Sequence, residues 1–296
     1  MSTGEFFNIA AVLLILAGVI ALVGAVFKTY RAAGVVLAIN AVALLFMAAG
    51  FGLRWKYYID TMNVGWLLAF PVSTFYESAT FFLMSLLAAF LGVFGFRAGK
   101  MKKEGGAKDC ARPEISQTTE GLTWFAVDFS AGIGILGLSL ANISSEPVLF
   151  LPSLKSYWLL VHVALSFIAY GMFALAAILA VLALCRSDGR EANMARIRAL
   201  VRAGIVVFTI GGIFFGALWA QTSWGRFWAW DPKETWAFVT WCCYLALIHF
   251  DRNNRLSPKK LSIFAIMNFV VVIFTFVGVN MLFAGLHSYA LIDSGV

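Results

Sequence analysis

The residues of this chain that could carry chemistry are few and concentrated. It has three histidines, His162, His249 and His287, and six of its ten tryptophans lie between Trp219 and Trp241. The centre of that stretch reads Trp224-Gly-Arg226-Phe-Trp228-Ala-Trp230-Asp231-Pro232-Lys233-Glu234, and Trp236 follows. Indole favours a setting with one apolar and one wet side, and its flat face stacks on large planar partners. Neutral imidazole is a strong ligand for iron, and two of them saturate the axial positions of an iron-bearing ring. Tryptophans flanked by histidines would therefore suit a flat, metal-bearing ligand, provided that the chain's elements bring them to one place.

Those elements are membrane spans. Over 296 residues the composition is 61% hydrophobic and 12% charged, with a mean hydropathy of +0.87. This is the signature of a multi-pass membrane protein. Crossing ~30 Å of hydrocarbon at ~1.5 Å per residue takes about 20 apolar residues. Such runs predict helices at about 7–27, 33–52, 78–96, 121–141, 157–184, 203–219, 235–250 and 261–284. The expected fold is an all-α bundle of about eight transmembrane helices, forming one integral membrane domain over 1–296. The first run follows Glu5 with no basic residue ahead of it and is followed by Lys28 and Arg31, which reads as a retained span and not a cleaved signal peptide. Of 22 Lys and Arg, 17 fall in loops after odd-numbered runs, against Arg54, Lys56, Lys155, Arg226 and Lys233 on the other face. By the positive-inside rule both termini then face outward, 97–120 is a cytoplasmic loop, and the Trp-rich 219–236 is an outer-face loop between the sixth and seventh helices. The net charge of +7 follows from this topology and implies no nucleic acid.

The histidines now acquire depths. His162 lies about five residues into the fifth run, roughly 8 Å below its outer end, and His287 directly follows the eighth run at that same face. His249 is 14 residues beyond Thr235, about 21 Å down the seventh run and close to its cytoplasmic end. Taken singly, each reads as an interfacial polar residue bonded to a carbonyl. Taken together, His162 and His287 flank the platform on one face, as gripping a heme from both sides requires, and an ionisable group within a span is a functional candidate.

Asp231, Pro232 and Glu234 match an N-cap, a proline at N1 and the acid of a capping box, which would hold the platform still. An interfacial aromatic belt accounts for Trp66, Trp124 and Trp158 but not for Trp224, Trp228, Trp230 and Trp236 interleaved with Gly225 and Asp231. Arg226 and Lys233 suit either the ligand's propionates or lipid headgroups. Gly211, Gly212 and Gly216, like Gly132, Gly134 and Gly137, read as close helix-packing seams and not phosphate loops. Cys110, Cys185, Cys242 and Cys243 form no CxxC pair, so the spacing offers no zinc site, thioredoxin-type centre or structural disulfide. With no CxxCH, the chain is not itself a c-type cytochrome.

The string from Trp224 to Phe238 resembles the "WWD" signature of heme-handling membrane proteins, and its ending is most similar to the CcsA/ResC branch of cytochrome c biogenesis system II. Further matches are Pro71-Val-Ser73-Thr-Phe-Tyr76-Glu77-Ser78, Leu154-Lys-Ser-Tyr157-Trp158 leading into His162, and Gly285-Leu-His287-Ser288-Tyr289. The similarity spans about 70–296. It implies that His162 and His287 are the outer axial ligands of heme b. His249 would belong to an inner heme site whose other histidine comes from a partner. Trp224, Arg226, Trp228, Trp230, Asp231 and Trp236 would contact the cofactor, with no residue assigned as catalytic.

The implied partners are a second system II membrane subunit with a large outer-face domain, an apocytochrome c, and thiol-reducing proteins indirectly. The implied activity is heme transport through a bacterial cytoplasmic or thylakoid membrane, then presentation for thioether attachment to CxxCH, as part of a cytochrome c synthase (heme lyase) complex acting on the periplasmic or lumenal face. Two other readings stand beside it: a heme exporter or delivery protein without ligation activity, and a structural membrane subunit whose tryptophans are an interface anchor.

Overall fold

The computed structural model describes residues 3–26, 31–63, 65–104, 133, 137, 156–185, 190–283, 285 and 287, and among these there is helix but no strand. The long helices are α1 (Thr3–Val26), α2 (Arg31–Met62), α3 (Phe75–Glu104), α4 (Tyr157–Cys185), α5 (Arg190–Phe208), α6 (Gly216–Trp224), α7 (Pro232–Phe250) and α8 (Pro258–Ile273), and a short α9 is Val279–Leu282. A π-helical turn, Thr209–Phe215, joins α5 to α6, and a second, Phe274–Gly278, joins α8 to α9, so each pair forms one rod.

Six helices among the described residues are long and apolar enough to cross a membrane: Gly4–Val23, Gly34–Met62, Phe75–Phe94, Tyr157–Cys185, Asn193–Trp224 and Pro258–Leu282. The seventh expected run is helical as α7, but Lys233 and Glu234 at one end and His249 at the other make it more polar than these six. The expected run at 121–141 lies outside the described residues apart from Ile133 and Gly137, both helical. Of the expected loop 97–120, the part up to Glu104 continues α3, and 105–120, with Cys110, lies outside the described residues.

The bundle is organised around α4. In its most apolar stretch 67% of residues are buried, against 33% to 44% in the other spans, because α3, α5, α8 and the Thr209–Phe215 turn all pack on it. Phe173 of α4 stacks on Tyr244 of α7 with ring centroids 3.7 Å apart. Burial over most of its surface suits the largely apolar composition of α4.

The turn before α3 is held by a buried ion pair. Arg54 Nε donates to Glu77 Oε1 at 2.5 Å and the Tyr58 hydroxyl donates to the same oxygen at 2.6 Å. Glu77 Oε2 accepts from the Ser73 amide at 2.8 Å, the Ser73 hydroxyl at 2.9 Å and the Thr74 amide at 3.1 Å. The Arg54 and Glu77 side chains are 2% and 1% exposed, so Arg54, one of the basic residues assigned to the outer face, is part of the interior and not of the lipid surface. Breaking such a pair from one side costs about 3–5 kcal/mol, because a charge is left buried without its counter-ion. Glu77→Ala should therefore lower thermal stability in detergent by that order. A melting midpoint unchanged from wild type would show that the pair does not hold the turn.

Candidate functional site

One cavity gathers the sequence features. The Val72–Ser78 segment, the first turns of α4, the Thr209–Phe215 turn with α6, the start of α7, the α8–α9 rod and His287 all contribute to its lining. It has a volume of about 160 Å³ and opens to solvent. Ligand clefts span roughly 300–1,000 Å³, so a large planar molecule would have to extend out through the open mouth of this one.

His162 and His287 both line it. His162 Nδ1 lies 2.9 Å from the Gly211 carbonyl. A carbonyl can only accept, so Nδ1 carries the hydrogen and Nε2 of the neutral ring keeps its lone pair. Gly211 belongs to the π turn, a feature that often marks functional sites in helices. The turn approaches α4 closely: a Cβ on Gly211 would sit 2.2 Å from Leu165 Cβ, and one on Gly216 would sit 3.0 Å from the His162 ring. The glycine seam read from sequence thus makes room for an imidazole as well as for a helix.

His287 is set the same way. Its Nδ1 lies 2.7 Å from Asp231 Oδ2, which again puts the hydrogen on Nδ1 and leaves Nε2 basic. Gly285 permits the approach, since a Cβ there would fall 2.5 Å from Asp231 Oδ1. Donation of one ring N–H to a carboxylate or carbonyl is the usual way in which a metal-binding histidine is oriented. Burial lowers the His287 pKa from its ordinary value, and the hydrogen bond to Asp231 opposes this only in part. At neutral pH the ring is uncharged, the form that donates a lone pair.

Asp231 also starts α7. It accepts from the Lys233 amide at 3.0 Å, while Glu234 Oε2 accepts from the Asp231 amide at 3.4 Å and from the Ala229 amide at 2.7 Å, completing the capping box. Just before the cap, Trp230 adopts φ +56°, a left-handed conformation that costs a bulky residue about 1–3 kcal/mol. That bend turns Trp230 outward, where it is 70% exposed.

The tryptophans divide by position. Trp228 lines the cavity with Trp219. Trp219, 2% exposed, stacks on His162 at 5.8 Å and meets His287 edge-on at 5.2 Å, so it lies against both imidazoles. Trp224 backs the site, 4.7 Å from His287 and 4.8 Å from Trp219. Trp236 packs on Phe274 at 4.4 Å and does not line the cavity. Trp230 and Arg226 are exposed and outside the lining. Lys233, by contrast, lines the cavity, donates from Nζ to Asn280 Oδ1 at 2.9 Å, and is lowered by burial to a pKa of about 8. His249 is exposed at the far end of α7, beside Phe250.

Sequence reasoning did not single out Trp219, the Gly211 carbonyl or Asn280. Trp219 was visible only as one member of the cluster, and no periodicity marks a π turn.

Because protonation of His287 is harder in its docked state, docking is fully favoured above the ordinary imidazole pKa of ~6.5 and weakens as pH falls through the lowered value. Lowering the pH from 7 to 5 should change the tryptophan fluorescence of the wild type through Trp219 and Trp224, and change that of His287→Ala much less. Equal responses in the two proteins would contradict the docked neutral ring.

A family model described as "Cytochrome C assembly protein" matches residues 6–287. The chain is similar to the cytochrome c biogenesis protein CcsA of Pyropia yezoensis, 28% identical over 269 residues, covering 74% of this chain and 78% of that one. It is 35% identical over 175 residues to protein NrfI of Wolinella succinogenes, covering 54% of this chain but only 19% of NrfI. Among solved structures it shares the fold of the cytochrome c heme lyase CcmF, with a TM-score of 0.65 and 17% identity over 93% of this chain and 47% of that chain. The site residues His162, Asp231 and His287 all fall within the matched range, and the chain belongs to the cytochrome C assembly protein family as one of its CcsA-type members.

Proposed function

We propose that this protein takes heme b to the outer face of the membrane and presents it there for covalent attachment to an apocytochrome c. The observation that carries the reading is that two imidazoles line one cavity with Nδ1 committed to an acceptor, which leaves each Nε2 basic. In this reading His162 and His287 are the axial ligands, Trp219 and Trp228 form the walls, Trp224 supports His287, Trp236 braces α7, and Trp230 and Arg226 sit at the rim. About eight spans with both termini outward put the 219–236 segment on the periplasmic or lumenal side and 97–120 in the cytoplasm. His249, at the other end of α7, holds an inner heme together with a histidine from a second membrane subunit.

Heme is the substrate. An unfolded apocytochrome replaces one imidazole with the histidine of its CxxCH motif. Each cysteine thiol then adds across a vinyl group: a carbon–sulfur bond forms, the thiol hydrogen passes to the neighbouring vinyl carbon, and no net oxidation or reduction occurs. The protein contributes position, and holding two reactants in register removes several kcal/mol from a barrier. The cap at Asp231 keeps the site rigid, and reduced cysteines are supplied by separate thiol-reducing proteins.

Visible spectra of the purified protein, with and without its partner subunit, test this directly. His162→Gly and His287→Gly should each lose heme or shift the Soret band, with recovery on adding imidazole. Unchanged spectra in both variants would sink the ligand assignment. Co-expression with an apocytochrome c should yield heme that stays bound after denaturation. A carrier without ligation activity would leave heme extractable, and a purely structural subunit would show no Soret band.

A further inference from the structure

Lys233 is a cation at the cavity to which the ligand assignment gives no role. It is a cation lining a largely apolar cavity, and its amine is satisfied only by the neutral amide oxygen of Asn280. The ion pairs among the described residues are Arg54 with Glu77, Lys56 with Asp60 and Arg198 with Asp251, and none includes Lys233. Neither of the two acids near it in sequence bonds its amine, although Glu234 Oε1 is itself without a hydrogen-bond partner. Asp231 holds His287 and caps α7, and Glu234 Oε2 takes the amides of Ala229 and Asp231. Asp231 attracts the ammonium group electrostatically, but Asn280 is its one hydrogen-bond partner, and with three N–H donors the amine keeps donors free for an acceptor supplied from outside the chain. A second donor points the same way: the Nε1–H of Trp228, in the same lining, is buried and has no hydrogen-bond partner.

The geometry points to a carboxylate subsite in which Lys233, with the indole N–H of Trp228, receives a propionate of the ring. This rests on the reading that the cavity takes heme. The propionates occupy one edge of heme b and the vinyls the opposite side of the ring, so anchoring the acidic edge at Lys233 turns the reactive edge away from α7. Arg226 lies outside the lining and takes no part. Of the two basic residues in the Trp-rich segment, Lys233 is thus the orienting one.

The test uses iron-free protoporphyrin IX and its dimethyl ester, titrated into the full-length protein in detergent and followed by quenching of tryptophan fluorescence. Wild type should bind the diacid roughly 10- to 100-fold more tightly than the diester, the worth of one buried charge-assisted hydrogen bond. Lys233→Met should remove that preference while leaving the diester affinity within about twofold, Lys233→Arg should keep most of it, and the exposed Lys259→Met should behave as wild type. Equal affinity of wild type for diacid and diester overturns the subsite, and because that comparison needs no substitution, it stands even if Lys233→Met fails to fold. An equal loss for both rings in a folded Lys233→Met overturns it as well. Wild type that binds neither ring also overturns the subsite, whereas the proposed function, which rests on iron ligation, is judged separately by the heme spectra of His162→Gly and His287→Gly.

Discussion

The carboxylate of Asp231 is the point on which the candidate site of this protein turns. One oxygen, Oδ2, accepts from the Lys233 amide and from the His287 ring, so the group that begins α7 is also the group that orients a histidine 56 residues later in the chain. Glu234 closes the capping box from the other side, fixing the backbone of the segment between Trp228 and Asp231. A helix start is among the more rigid features a loop can be tied to, and tying a site to one keeps its geometry within the tolerance that ligand binding demands. The close fit of Gly285 against Asp231 shows that the C-terminal segment is shaped to reach this carboxylate.

A second acceptor does for His162 what Asp231 does for His287. The Gly211 carbonyl, set in a π turn that the neighbouring glycines allow to press against α4, selects the same tautomer. The two acceptors differ in kind. A carboxylate makes its imidazole a stronger electron donor than a peptide carbonyl does, so the two rings are alike in geometry and unequal in basicity. Trp219 lies against both, and its burial makes it a structural wall of the site and not an interfacial anchor.

Much of this was legible in the sequence because it is local. The cap at Asp231, Pro232 and Glu234 follows from residue types at fixed offsets, and the apolar runs follow from length and composition. The meeting of His162 and His287 was expected from their common face and from resemblance to a family. What the sequence did not reveal is long-range or conformational. Asp231 reads as a cap, and nothing local announces that it also serves His287. Arg54 counted as a surface charge because its partner, Glu77, lies on another helix. The π turns have no periodic signature, and the left-handed Trp230 breaks the expectation that every tryptophan of the cluster faces the ligand. Trp236 followed the cluster in sequence but points to Phe274, because α7 has already begun and its helical turn carries the side chain elsewhere.

The geometry on which ligation would depend is present before any ligand arrives: two neutral imidazoles, each with its hydrogen on Nδ1. Nitrogen-15 NMR of histidine-labelled, heme-free protein at pH 7 tests this most directly, with His162→Gly and His287→Gly used to assign the signals. The expected result is a protonated Nδ1 and a bare Nε2 in both rings. A hydrogen on Nε2, or a doubly protonated ring, at either position would contradict it.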